Sequence, residues 1–189
     1  MLLRILTLLV LLPLPALAAT YTFNTSGGTV VSGSPSICSG AWSRSGTTFT
    51  CNGTLTTAAN DVLTVSTATN IEVVAQAVSL TATTAGAGDR AINLRASSNQ
   101  FSAGNSVVNG TVTANTGSIS LSGGRVSGLV LSGCCTVTTN GTDLLGGARS
   151  NSSGISITGG TIQGDFFAAN NSATFTGVDM LSGSVSGAS

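Results

Sequence analysis

The chain has no lysine and no histidine, and charged residues make up 6% of its 189 positions, against about a quarter in an ordinary soluble domain. Six arginines face five aspartates and one glutamate. The arginines beyond Arg4 are scattered, so the clustered cations that a phosphate backbone requires are missing and no nucleic-acid partner is expected. Without histidine the usual general base and commonest metal ligand are absent, and the four cysteines are not spaced as C-x-x-C pairs. Neither a metal nor any other cofactor is expected. Aromatics are sparse at 4%, and there are only three prolines. Low charge alone would fit disorder, yet 41% apolar content, rich in Val, Ile, Leu and Ala, suffices to bury a core.

The long hydrophobic run lies at the start. Arg4 is a one-charge leader, Ile5 to Leu14 form an apolar stretch interrupted by Pro13, and Ala16-Leu17-Ala18 is a small-x-small cleavage signal. The run is too short to span a bilayer, and no second segment of membrane-spanning length follows. Residues 1–18 therefore read as a signal peptide, and the mature chain begins at Ala19 with a net charge of 5 − 6 = −1. The expected location is outside the cytoplasm, at a cell surface, associated with an outer membrane or extracellular.

Export makes the cysteines interpretable, because an oxidising compartment lets thiols pair. Cys38 and Cys51 flank a stretch with turn residues in its middle and β-formers after it, and a disulfide between them would stabilise an N-terminal unit by about 3 kcal/mol. Cys134 and Cys135 are adjacent. Neighbours in extended chain point to opposite sides, so a vicinal disulfide needs a distorted turn; two free or separately buried thiols are the alternative. No neighbour that would depress a thiol pKa marks either as a redox centre.

What the sequence has in abundance is a repeat. Residues 101 to 189 fall into rows of eighteen beginning at Phe101, Ile119, Val137, Ile155 and Ala173. The eighth column is apolar throughout: Val108, Val126, Leu144, Ile162, Met180. The fifth reads Asn105, Gly123, Gly141, Gly159, Gly177, the tenth Gly110, Gly128, Gly146, Gly164, Ser182, and the twelfth Val112, Val130, Ala148, Phe166, Ser184. Phased apolar columns separated by phased glycines predict an all-β, parallel β-solenoid (β-helix) of about eighteen residues per coil. Columns one and three (Ile119 and Leu121, Ile155 and Ile157, Ala173 and Phe175) point inward. Columns two and four (Ser120 and Ser122, Thr138 and Asn140, Ser156 and Thr158, Thr174 and Thr176) point out. No helix is expected after the leader.

Before residue 101 the phasing is looser, with alternating pairs at Val62-Leu63-Val65, Ile71-Val73, Val78-Leu80 and Ile92-Leu94. The organisation predicted is a leader over 1–18, a disulfide-bonded cap over 19–54 that covers the first coil's open edge, and a solenoid over 55–189, regular from 101. An antiparallel sandwich is the rival fold, favoured by the hairpin dipeptides Asn52-Gly53, Asn109-Gly110 and Asn140-Gly141. A sandwich has no reason to hold one period across four successive intervals.

A resemblance rests on Tyr21-Thr-Phe23, on the stretch from Cys38 through Gly40, Trp42-Ser43-Arg44-Ser45-Gly46, Thr48 and Thr50 to Cys51 and Gly53, and on Asn70-Ile71 and Ile92-Asn93-Leu94 before the glycine-punctuated repeats. In this order of features the chain resembles the N-terminal region of the large exported biogenesis proteins of mannose-sensitive haemagglutinin (MSHA) type IV pili in Gram-negative bacteria. The Cys-Trp-Arg-Gly-Cys stretch is its distinctive part. The resemblance implies a structural role at a cell surface or pilus, with surface or pilus components as partners, and it brings no catalytic residue. Members of that family run on into further domains.

Three function classes follow. The first is a non-enzymatic structural or adhesive module. The second is a β-helix that binds or cleaves polysaccharide: column seven holds Val107, Arg125, Asp143, Thr161 and Asp179, which sets Asp143 and Asp179 two coils, or roughly 10 Å, apart, just beyond an inverting carboxylate pair. Arg125 beside Asp143 reads more simply as a surface ion pair, and no residue is assigned a catalytic role. Asp61, Glu72, Asp89, Asp165 and the remaining arginines read as solvated positions. The third class is an ice-binding face built from the outward hydroxyls, which Asn140 interrupts. Sequons at Asn24, Asn52, Asn109, Asn140, Asn151 and Asn170 are those expected by chance in so Ser/Thr/Asn-rich a chain. The last row carries no terminal cap. The expectation is that the chain continues beyond Ser189 or associates end to end through this edge.

Overall fold

The computed structural model describes residues 17–187, so residues 1–16 of the expected leader lie outside the described residues. Every regular element in the described chain is a strand. The early strands are β1 (Thr20–Phe23), β2 (Val31–Ser32), β3 (Trp42–Ser45), β4 (Thr48–Thr56), β5 (Val62–Val65), β6 (Ile71–Thr81), β7 (Thr84–Ala85) and β8 (Ile92–Ala96). Regular triplets follow: β9 (Phe101–Gly104), β10 (Val107–Val108) and β11 (Val112–Ala114), then β12 (Ile119–Ser122), β13 (Arg125–Val126) and β14 (Val130–Ser132). Next come β15 (Val137–Asn140), β16 (Asp143–Leu144) and β17 (Ala148–Ser150), then β18 (Ile155–Thr158), β19 (Thr161–Gln163) and β20 (Phe166–Ala168). The last triplet is β21 (Ala173–Thr176), β22 (Asp179–Ser182) and β23 (Val185–Gly187).

The triplets stack into three parallel faces of a β-solenoid of about 7 turns, about 18 residues apart. The first face carries β9, β12, β15, β18 and β21, joined in the register Phe101, Ile119, Val137, Ile155, Ala173, which is the sequence phasing. The second carries β1, β5, β7, β10, β13, β16, β19 and β22, and the third β8, β11, β14, β17, β20 and β23. β6 bends from the third face to the first, pairing with β8 through Ile71–Ala75 and with β9 through Val78–Thr81. The Asn-Gly dipeptides mark no hairpin among the regular coils, where every pairing is parallel.

Alternation sorts the side chains. On the first face Ile119, Leu121, Val137, Ile155 and Ile157 are buried, while Ser120, Ser122, Thr138, Asn140, Ser156 and Thr158 are exposed. The eighth column fills the interior with Val108, Val126, Leu144 and Ile162. Met180 pairs in register with Ile162 but is 42% exposed, a correction to its expected place in the core: it belongs to the last described coil.

The fifth column forms a left-handed corner. Gly123, Gly141, Gly159 and Gly177 have φ between 59° and 67°, and the corner runs back through Asn105 (49°), Ala82 (43°) and Asn60 (67°). The tenth column needs glycine for a second reason, close approach: a Cβ on Gly146 would lie 2.6 Å from the Gly128 carbonyl oxygen and 2.7 Å from the Leu129 nitrogen. Here the last coil departs from the expected phase. A bulge beside Gln163 pairs it with Ser182, so Val185 rather than Ser184 stacks on Phe166. The extra residue brings Gly183 (φ 124°), not Ser182, to the site beside Gly164 where no Cβ fits.

The N-terminal segment is more than a cap. β1 already runs parallel to β5, and β4 parallel to β6, so both are rungs of the solenoid. The covering part is antiparallel: β2 on β1, and β3 on β4. The insertion between β1 and β4 sets Thr20 opposite Val62, which hides the first rung from an eighteen-residue frame. Phe23 is fully buried here, edge-on to Phe49 at 5.1 Å and Trp42 at 5.6 Å. Cys38 and Cys51 form the expected disulfide, Cα to Cα 5.7 Å, which ties the cap to β4.

Candidate functional site

Most polar side chains that break the hydroxyl texture hold neighbouring coils together. Asn93 Oδ1 accepts from the Thr111 backbone N–H at 2.9 Å, and Ser127 Oγ donates to Asn109 Oδ1 at 3.0 Å. Asp165 Oδ1 accepts from both the backbone N–H (3.1 Å) and the hydroxyl (2.7 Å) of Ser184. Inside the coil corners, buried Thr83, Ser106 and Thr142 satisfy backbone groups or each other; the Ser106 hydroxyl accepts from the Thr83 N–H at 3.0 Å and Thr142 donates to the Gly123 carbonyl at 3.0 Å.

Column seven follows the same logic. Asp143 is half-buried, and its Oδ1 accepts from the Thr161 backbone N–H at 2.8 Å. Arg125 lies in register beside it, but the two form no ion pair, which corrects the expected contact: the carboxylate is turned to the coil on its other side. Asp179 is exposed in register with Thr161, one coil further on.

Three of the remaining charges, Asp61, Glu72 and Arg95, are less solvated than expected. Among the described residues the one ion pair joins Arg95 to Glu72, Nε to Oε1 2.8 Å, with both side chains about one-third exposed. Arg44 donates to the Asn24 and Ser26 carbonyls, fastening β3 to the turn after β1. Asp61 is 2% exposed and accepts two backbone N–H bonds. Asp89, Asp165, Arg44, Arg90 and Arg149 are exposed as expected, whereas Asp61 is buried and Glu72 and Arg95 are half-buried. These partners are spaced by the longer early coils, so an eighteen-residue map does not bring them together.

The third face carries the outward residues with the most recognition chemistry. Leu131, Arg149 and Phe167 stand on successive rungs. The Arg149 guanidinium lies 4.9 Å from the Phe167 ring centre, and its Nε donates to Asn151 Oδ1 at 2.6 Å. Cys134 and Cys135, in the turn that leaves this face, are joined in a vicinal disulfide with Cα atoms 3.7 Å apart, so the alternative of free or separately buried thiols does not hold. The distorted turn is held by Ser132 Oγ, which accepts the Cys135 N–H at 2.9 Å, and by the Cys135 carbonyl, which accepts from Ser150 Oγ at 2.9 Å.

On the first face Thr136, Thr138, Ser156, Ser172 and Thr174 line a shallow groove of about 190 Å3. A larger cleft, about 460 Å3, opens at the N-terminal end between Ala19, Tyr21, Pro35, Ile37 and Asp61. Burial, and then the Asp61 carboxylate, push the Tyr21 phenol above its ordinary value of 10.0. Among the described residues no three His, Cys, Asp or Glu side chains gather to hold a metal ion, and no helix is long and apolar enough to cross a membrane. At the far end Met180, Leu181 and Val185 are exposed.

This architecture defines a capped, disulfide-bonded β-solenoid. Comparison with protein-family models, with curated proteins and with solved structures finds no match.

Proposed function

We propose that the chain is an exported, non-enzymatic structural or adhesive module at a bacterial cell surface, its stacked coils acting as a rigid spacer. The observation that carries this reading is the use made of its polar side chains: Asn93, Asn109, Asp143 and Asp165 each bond the adjacent coil. A stack braced in this way resists bending and leaves flat faces of small hydroxyls. Two disulfides suit an oxidising compartment. The resemblance to MSHA pilus biogenesis proteins makes pilus or other surface components the natural partners. The exposed Met180, Leu181 and Val185 fit a further coil as neighbour. The test is to express the full chain in a Gram-negative host and treat intact cells with a protease that does not enter them. The reading expects an oxidised chain that is cut from outside; a reduced chain retained in the cytoplasm contradicts it.

A second reading, a carbohydrate-binding β-helix, draws on the third face. An aromatic ring beside a guanidinium and Leu131 on a flat sheet suits the apolar face and the hydroxyls of a sugar. Binding on a glycan array that is lost in Phe167→Ala, with an unchanged melting temperature, would favour it over the spacer reading.

A further inference from the structure

Asp61 is a carboxylate that surface chemistry does not account for. It is 2% exposed, at the edge of the N-terminal cleft. Its Oδ2 accepts the Ala58 backbone N–H at 2.8 Å, and its Oδ1 accepts the backbone N–H of Ala19 at 3.0 Å, across 42 positions of chain. Neutral donors alone leave the negative charge uncompensated, and buried carboxylates are ordinarily held by a cation. The sequence has no lysine or histidine, and the one ion pair among the described residues is Arg95 with Glu72, so no side chain supplies that cation.

The chain at Ala19 shows where one arises. Leu17 is 96% exposed and Ala18 is also exposed, whereas Ala19 is half-buried against the core and its carbonyl accepts the Val62 N–H at 2.8 Å. The bond between Ala18 and Ala19 is therefore the boundary between free chain and first rung, and it is also where the Ala16-Leu17-Ala18 signal ends. Hydrolysis there by a leader-removing peptidase breaks the C–N bond, with water giving its OH to the Ala18 carbonyl carbon and a proton to the nitrogen. The freed amine takes a further proton near neutral pH.

We propose that Asp61 is the binding site for the α-ammonium group of Ala19, so that leader removal converts an amide hydrogen bond into a buried ion pair and fastens the first coil. The inference rests on the export reading, and its test separates the two. Mass spectrometry of the exported chain reports the cleavage point; a mature terminus other than Ala19 overturns the cleavage premise. The pairing itself is read on a chain made to begin at Ala19. That chain contains no lysine, so its α-amine is its sole primary amine. Acylation of the folded protein by an N-hydroxysuccinimide ester is expected to be about tenfold slower than in Asp61→Asn, because the paired ammonium holds its proton. Should Asp61→Asn fail to fold, a chain with one glycine added before Ala19 serves instead: the Ala19 N–H, now an amide, still donates its hydrogen bond to Asp61, and the ammonium is moved away. Its amine is expected to react about tenfold faster than that of the Ala19 chain, and its melting temperature to be lower. Equal rates and equal melting temperatures in the two chains would overturn the proposal.

Discussion

Leu144 stacks in register on Val126, and both are withdrawn from solvent, at 0% and 2% exposure. Neither would be buried in a coil standing alone, so the pair is the unit from which the core is assembled. Ile162 continues the column above. Leu144→Asp places a carboxylate between two apolar neighbours and is expected to cost about 3–5 kcal/mol. Met180→Asp, at the exposed end of the same column, is expected to cost less than about 1 kcal/mol. Thermal melts followed by circular dichroism compare the two, and equal losses would contradict the stacking order.

The glycine columns make a second prediction because they differ in cause. Gly141 has φ 67° with open space where a Cβ would sit, so Gly141→Asn is expected to fall within about 1 kcal/mol of the parent and Gly141→Val to cost about 1–2 kcal/mol. At Gly146 the obstacle is the coil below. Gly146→Ala is expected to cost about 1–3 kcal/mol by forcing the backbones apart. Urea midpoints of the three variants give the ranking.

Thr139 occupies an inward position between Leu121 and Ile157, is 1% exposed, and its hydroxyl has no hydrogen-bond partner. Thr139→Val keeps the shape and removes the unpaired group. It is expected to raise stability by about 1 kcal/mol, an outcome opposite in sign to most core substitutions. A lower melting temperature would mean that the hydroxyl is in fact satisfied.

Tyr21 predicts how the protein responds to alkali. Its phenol is held above 10.0 in the folded state by burial and by Asp61. The folded state therefore keeps its proton when the unfolded state loses it, so the stability contribution is intact below about pH 10 and is lost as pH rises toward the folded value. It is the only tyrosine, and its ionisation can be followed directly by ultraviolet absorbance. Tyr21→Phe is expected to flatten the alkaline decline in stability while leaving neutral stability near that of the parent.

The regular coils could be read from sequence because each inward position recurs at one spacing, and the parallel register from Phe101 to Ala173 follows that spacing without a shift. Four features could not. The insertion between β1 and β4 puts Thr20 opposite Val62, so the first rung of the solenoid reads as part of a separate cap. The bulge beside Gln163 displaces Ser184 by one position, and the clue was Gly183, since the tenth column tolerates no Cβ where Ser182 was aligned. The Arg95 to Glu72 pair and the buried Asp61 depend on early coils longer than eighteen residues, which single-period rows cannot align. The vicinal disulfide rests on a turn fixed by Ser132 and Ser150 hydroxyls, and serine in so serine-rich a chain gives no warning of it.

The central claim is that this chain is a stack of interchangeable coils whose number sets its length. The most direct measurement is small-angle X-ray scattering of a variant in which the three coils from Ile119 to Ser172 are duplicated in tandem. Each added coil extends the stack by one strand spacing, so the maximum dimension is predicted to grow by about 14 Å with an unchanged cross-section and a melt at least as cooperative as the parent's. A duplicated chain that expands in cross-section, or melts as an unfolded insertion beside a parent-sized particle, would contradict it.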